Sequence, residues 1–578
     1  MGICAIVYSD MFIKTNKANY KGTISISKLL VENYWKDGVS KTKTILNLSK
    51  LPTKQQLAVE ESFKDKGTKV TLEDISVESA IDYGQIAVVL ELLKRLRIEE
   101  TIQKIYPENA NLIILMILGK IITRGSKLGI VNWIKRNKFI AKRLDVDIEK
   151  INEKHLYSAL TDLDNLQEKI EHKWSVYNRD KTDTIYLYDI TSLYFEGMYN
   201  ELSEFGYDRD KKKGHKKIIT AGLITDREGF PLKVEVFRGN VLDHKTVKQQ
   251  IKDLREKFGA NDIIFVGDRG MRIRYNLEEM TAAEKEGVKY ISGLTIDEIK
   301  SLVNNDIIQL SLFSKELVEV EENGKRYILC VNPDLAQEKQ DRRTVNKMKF
   351  EAEIAAIQRS YNKEKERCKN NRDRLSAGSK NKKLKVSLTD KEIDAWKYRV
   401  RKFQEKYKMQ KVYEVTITRE KLTIIFDPAY YEKLKSYDGK YVFETTVSKK
   451  VLKKEEVRDT YKRLQLVEHA FKISKTDKLD ARPIFHRKAQ QTRGHVFVCM
   501  FSYAVILEME KRLLPWLKET KKTKDKLSYK DAMSELNNIK LCILSFGKSV
   551  HQEVKITKLT DRQKQIFKLL EIKESILT

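Results

Sequence analysis

The sequence predicts an α/β core inside a larger, multi-domain α+β chain. Three observations carry that reading. From residue 183, short β-branched and aromatic runs appear in the order β-β-β-α-β-α-β, the pattern of a mixed sheet covered by helices. Between about 294 and 451 further strands and a long polar helical tract break that pattern, and helical periodicity resumes from 452. The length, 578 residues, is several times the roughly 150 residues of a typical domain.

The elements follow in chain order. Residues 1–75 read as a small β-rich N-terminal module. Thr23–Ser27 and Thr42–Leu48 are β-branched, and Asp37-Gly38 is a hairpin-turn dipeptide. Residues 76–180 read as helical, with apolar residues at three- and four-residue spacing in 86–96, 112–122 and 130–139. Lys120, Arg124, Lys127, Lys135, Arg136 and Lys138 interleave with them. This segment is therefore expected to bind DNA, a bundle with a solvated basic face being the alternative.

Residues 181–293 form the first part of the core. Strands are expected at Thr184–Ile190, Lys217–Thr225 and Leu232–Phe237, then a helix over 244–258. A buried strand, Asp262–Val266, ends in Gly267-Asp268-Arg269-Gly270. A helix near 275–286 and a strand at Val288–Ser292 follow. Residues 294–451 read as an insertion domain. It has strands at 317–320, 327–331, 412–417, 422–426 and 441–446, and a polar helical tract over 344–409 whose stretch 363–385 is basic. Residues 452–515 form the second part of the core, and 516–578 a basic helical C-terminal segment. No internal repeat is found.

Composition narrows the function. Lys plus Arg total 112 against 83 Asp plus Glu, a net charge of +29. An AT-rich coding bias explains Lys over Arg, but not Lys over Glu. The excess points to a polyanionic partner, nucleic acid above all. Five scattered cysteines with no CxxC pair exclude a disulfide scaffold and speak against a structural zinc site. The longest apolar stretches, 112–119 and 496–507, fall short of the ~18 residues of a spanning helix. The start has no basic n-region and no apolar h-region. A soluble, cytoplasmic protein with no membrane partner is expected.

Three acids attract chemistry. On an alternating strand Asp189 points with Ile185 and Leu187, and an acid on an apolar side needs a partner or a cation. The other reading is a strand-end acid bonded to Thr191 or Ser192. Asp268 closes the apolar run 263–266, where α/β sheets gather ligands, with Gly267 and Gly270 permitting close approach. It reads equally as a helix-capping or turn acid. In 457–475, Tyr461, Leu464, Glu468 and Lys475 are spaced 3, 4 and 7 and form one stripe near Val457 and Phe471. Glu468 is thus expected on the packed side, although such a stripe is also the pattern of a solvated ion-pair face. Taken together, the three carboxylates suit hard divalent cations that clamp an in-line phosphoryl displacement.

The stretches YLYDITSLYFEG (186–197), GYDRDKKKGHKKIITAGLITDREGFPLKVEVFRGN (206–240), FVGDRGM (265–271), YKRLQLVEHAFKISK with LDARPIFH (461–486) and GHVFVCMFSYAVI (494–506) resemble the DDE transposases of bacterial insertion sequences. The group concerned carries a Tyr-x2-Arg-x3-Glu-x6-Lys signature. The resemblance covers about 179–292 and 452–515. It implies an RNase H-like mixed sheet flanked by helices and interrupted by an insertion. Asp189, Asp268 and Glu468 become the catalytic acids, holding two Mg²⁺ or Mn²⁺ ions. Tyr461 and Lys475 match the signature Tyr and Lys and are expected at the DNA. Leu464 stands where the signature has Arg, with Arg463 one residue off the stripe. Arg463, Arg269 and Arg272 are further DNA-binding candidates, and His469 is a weaker polar one. The implied partners are double-stranded DNA, as terminal repeats and target, and a second copy in a homodimer on paired ends. The rivals are a structure-selective nuclease of the same fold and a domesticated, non-catalytic DNA-binding protein.

Overall fold

A computed structural model describes residues 11–20, 23–36, 39–64, 75–180, 183–209, 216–314, 317–378, 383–476, 478–520, 527–546 and 552–577. The expected turn at Asp37-Gly38 lies outside the described residues. The chain divides into two compact units: Met1–Asp82 with Ile539–Lys558, and Tyr83–Asn538 with Leu559–Thr578.

In the first unit β1 (Met11–Tyr20), β2 (Thr23–Lys36) and β3 (Val39–Asn47) form an antiparallel meander. The helix Thr53–Lys64 follows, and its Glu60 pairs with Lys28 of β2. β4 (Ile75–Asp82) joins a separate small sheet completed from the C-terminal segment, described below.

The second unit is built on an eight-stranded sheet. β5 (Ile185–Tyr194), β6 (Ile218–Asp226) and β7 (Pro231–Arg238) are the expected meander. β8 (Ile263–Gly267) and β9 (Val288–Gly293) add to it in parallel, β8 beside β5 and β9 beside β8. The insertion then departs from expectation. Its strands β10 (Leu317–Glu322) and β11 (Lys325–Val331) do not stand apart from the core. β12 (Tyr413–Ile417) and β13 (Leu422–Phe426) form a local hairpin, and β14 (Lys440–Thr445) inserts between β11 and β9. The sheet order is β10-β11-β14-β9-β8-β5-β6-β7. The Phe443↔Gly293 pairing ties the insertion to the core across 150 residues, a link that local periodicity does not encode.

The rest of the insertion packs on itself. The polar tract is two helices, Pro333–Ser376 and Asp390–Tyr407. Phe350, Ile354 and Ile357 of the first meet Trp396 and Val400 of the second in a cluster of their own.

One face of the central sheet buries Tyr186, Tyr188 and Ile190 under the helix His244–Glu256, through Val247, Ile251 and Leu254. The helices Leu464–Lys475 and Ala489–Glu519 pack on the other face. The long helix Glu153–Asn178 lies against Ala489–Glu519. Gly494 allows this approach: a Cβ there would come within 2.3 Å of the Leu160 carbonyl oxygen. Trp174, fully buried, wedges between Phe230 and Phe501.

The helical segment expected to bind DNA shares this interior. Lys120 and Lys127 are 5% and 4% exposed, so neither faces solvent. Lys120 donates to the Asp480 carbonyl oxygen at 2.9 Å, and Lys127 lies 3.4 Å from Nδ1 of His495. Lys135, Arg136 and Lys138 remain exposed. The segment 516–578 also differs from its helical expectation. It holds β15 (Lys540–Phe546) and β16 (Gln552–Ile556), which pair in the order β16-β15-β4. No helix among the described residues is long and apolar enough to cross a membrane.

Candidate active site

Asp189 sits in the middle of β5, opposite Leu223 of β6, and the strand runs on to Tyr194. It is therefore not a strand-end acid. Alternation buries Leu187 and Thr191 on the same face, so its carboxylate rises from a dry floor. Burial pushes this carboxyl up to about 7. The negative charges of Asp268 and Glu468 add to the rise, while a backbone hydrogen bond from Ile190 and the Arg209 cation oppose it.

Asp268 follows the last residue of β8, the strand paired in parallel with β5. It precedes the 3-10 turn Arg269–Met271, but its side chain does not cap that turn, which removes the capping explanation. Instead Oδ1 accepts a 2.9 Å hydrogen bond from the Tyr461 hydroxyl. The Tyr461 ring stacks on Phe443 of β14, centroids 4.4 Å apart. Gly293 leaves room for the phenol: a Cβ there would meet its oxygen at 2.6 Å.

The expected single helix over 457–475 is two, Lys454–Lys462 and Leu464–Lys475, broken at Arg463. Val467 and Ala470 fill the packed side of the second helix. Glu468 is exposed, so its expected placement on the packed side is corrected: it opens into the cleft. Glu455 and Glu456 stay in the first turn of the first helix, where Glu456 accepts from the Lys453 amide at 2.7 Å. His469 pairs with Glu510 at 2.9 Å.

Asp189, Asp268, Tyr461 and Glu468 line one cleft of about 420 Å³, together with Arg269, Lys462 and Gln465. The insertion supplies the facing wall through Lys339, Lys440 and Phe443. A second hollow of about 510 Å³ opens on the other side of Asp189 and Glu468. It is lined by Arg209, Lys472, Lys475 and Arg482. Asp189 and Glu468 thus line both recesses, and Asp268 the first alone. Among the described residues no group of three or more His, Cys, Asp or Glu side chains stands close enough to hold a metal ion.

Two expected DNA-binding residues are placed elsewhere. Arg463 pairs with Glu228 at 2.6 Å and donates to the Arg227 carbonyl, which commits it to the β6–β7 turn. Arg272 is exposed in a left-handed conformation (φ 46°) beside a separate small recess. Sequence reasoning missed Arg209, Lys472, Lys339 and Lys440. Only Lys472 had a local signal, standing one turn after Glu468 on the same helix face. Neither a comparison with known protein families nor one with curated proteins returns a match.

Proposed function

We propose that this chain is a DDE-type DNA transposase with an RNase H-like core. It cleaves the ends of an insertion sequence and joins them to target DNA. The observation that carries the reading is the cleft lined by three acids from distant parts of the chain, Asp189, Asp268 and Glu468, two of which, Asp189 and Glu468, also line a second basic recess. The strand order β7-β6-β5-β8-β9, antiparallel then parallel, supports the core assignment.

The residue types suit the implied cations. Mg²⁺ and Mn²⁺ take carboxylate oxygens, and Asp189 carries a carboxyl whose ionisation is opposed by burial and two neighbouring negative charges. Asp189 and Asp268 would hold both ions, and Glu468 one. Bound there, such ions stabilise the attacking and leaving oxygens of an in-line displacement. The chain's own side chains do the rest. Tyr461 fixes one oxygen of Asp268. Lys475 and Lys472 offer point charges to a phosphate on one side of the acids, and Lys339, Lys440 and Arg269 on the other. The net charge of +29 favours DNA before any base is read. A homodimer on paired ends remains what the resemblance implies.

The test uses the full chain, DNA carrying the sequences that flank its gene, and Mg²⁺. Nicking at the element boundary followed by strand joining is expected. Asp189→Ala should abolish both while keeping specific binding within about tenfold at matched salt. Binding without any metal-dependent nicking by the wild type would overturn the reading.

A further inference from the structure

Beyond β5 the chain carries an unusual surface. Tyr199, Phe205, Tyr207 and Phe485 are 69, 62, 71 and 59% exposed. One exposed ring needs no explanation, but four on two adjoining segments do. The segments are the loop that leaves β5 and the strap 481–488. They are joined by the bridge Phe195↔Ile484 and by the Glu196 amide donating to the Ile484 carbonyl at 3.0 Å.

The loop is held in place. The Asn200 amide donates to the His486 carbonyl and to Thr492, each at 2.8 Å, and Leu202 accepts from the Gly239 amide at 3.0 Å. The rings are therefore presented from a braced backbone. Cations stand beside the patch: Lys217 is 5.8 Å over Phe205, and Arg482 is 5.1 Å over the half-buried Tyr194 at the end of β5. Each segment also places an arginine, Arg209 or Arg482, in the basic recess beside Asp189 and Glu468. Tyr194 is five residues past Asp189, or ~16 Å along the strand.

Aromatic faces interleaved with cations match unpaired DNA, whose bases stack on rings while its phosphates meet cations. We propose that this surface binds a single-stranded stretch of the substrate DNA next to the acids, so that the strand is held unpaired as it enters the recess. The inference rests on the reading of the cleft as a DNA-cleaving site and adds the state of the strand it receives.

The experiment measures binding of the full chain to an oligothymidylate of about 15 nucleotides and to a blunt duplex, at one salt concentration. Tyr199→Ala, Phe205→Ala, Tyr207→Ala and Phe485→Ala are each compared with the wild type. Each should weaken oligothymidylate binding about five- to a hundredfold and leave duplex binding within about twofold. Tyr199→Phe should restore it, and thermal melting confirms the fold of each variant. Unchanged oligothymidylate binding in Tyr207→Ala and Phe485→Ala would overturn the inference. So would a wild-type self-association in sedimentation that the alanine variants lose, because the surface would then cover a second copy. Mg²⁺-dependent nicking of DNA carrying the sequences that flank the gene is read with the same protein preparations. Ring-dependent binding without nicking keeps a single-strand surface but removes its role beside the acids and overturns the transposase reading; nicking without ring dependence overturns this inference and keeps that reading.

Discussion

The hydroxyl of Tyr461 donates a 2.9 Å hydrogen bond to Oδ1 of Asp268 across 193 residues of sequence. It makes Tyr461 a support for the Asp268 carboxylate. The bond occupies one carboxylate oxygen of Asp268, and the stack on Phe443 holds the phenol in place.

Tyr461→Phe keeps that stack and removes only the hydrogen bond. Stability should fall by about 0.5–1.5 kcal/mol in urea unfolding. Nicking should slow by about tenfold or more without vanishing, because the acids remain. Phe443→Ala should slow nicking as well, by letting the Tyr461 ring move. Wild-type rates in both variants would show that Asp268 needs no such support.

Asp189 predicts a pH dependence. Its carboxyl is raised to about 7, so below that value a proton occupies the group that would bind the cation. Cation binding must expel the proton. The apparent Mg²⁺ affinity, read from nicking rates against Mg²⁺ concentration, should fall by up to about tenfold per unit below pH 7 and level off above it. An affinity flat from pH 5.5 to 7.5 would contradict the burial of this carboxyl.

The buried cluster of Glu171, Lys233 and Asp253 makes a stability prediction. Burial pushes the Glu171 carboxyl up to about 7 from 4.5, against the Lys233 cation and a backbone hydrogen bond from Val234. Between those values the folded chain binds more protons than the unfolded one. Stability is therefore present below about 4.5 and is lost as pH rises towards 7. Glu171→Gln should remove that loss, about 1–3 kcal/mol across the window, in urea unfolding at a series of pH values. Parallel curves for the two proteins would contradict it.

Lys127 and Lys135 separate the buried from the exposed charge of the helical segment. Burial lowers the Lys127 ammonium to about 8, helped by the Lys120 cation. Lys127→Met should leave the salt dependence of DNA binding unchanged. Any DNA role of this segment falls to the exposed face, where Lys135→Ala should reduce the slope of log K against log salt by about 0.9 for one lost phosphate contact. A loss of slope in Lys127→Met would mean that this lysine reaches DNA.

These residues also show what the sequence made legible. Asp189 and Asp268 were visible because strand alternation and the end of a short apolar run are local patterns. Glu468 was visible for a reason that proved incomplete: the stripe with Tyr461 and Lys475 suggested a packed face, whereas Glu468 is exposed and lines a cleft with Tyr461. The cleft wall from the insertion was not legible. Lys440 and Phe443 arrive there through the pairing of β14 with β9, and β11 and β14 enlarge the core sheet by another long-range pairing. The charges of Lys120 and Lys127 hid their burial, since periodicity shows a stripe but not what covers it. The strand Lys540–Phe546 was passed over because its partner, Ile75–Asp82, lies at the other end of the chain.

The central claim, that Glu468 completes a metal-dependent site with Asp189 and Asp268, is met most directly by single-turnover nicking in Mg²⁺. Wild type, Glu468→Gln and Glu456→Gln are compared on the same end DNA. Glu468→Gln should lose at least about a hundredfold in rate with its DNA affinity kept, and Glu456→Gln, at the exposed start of the preceding helix, should match the wild type. Wild-type nicking by Glu468→Gln would contradict the account.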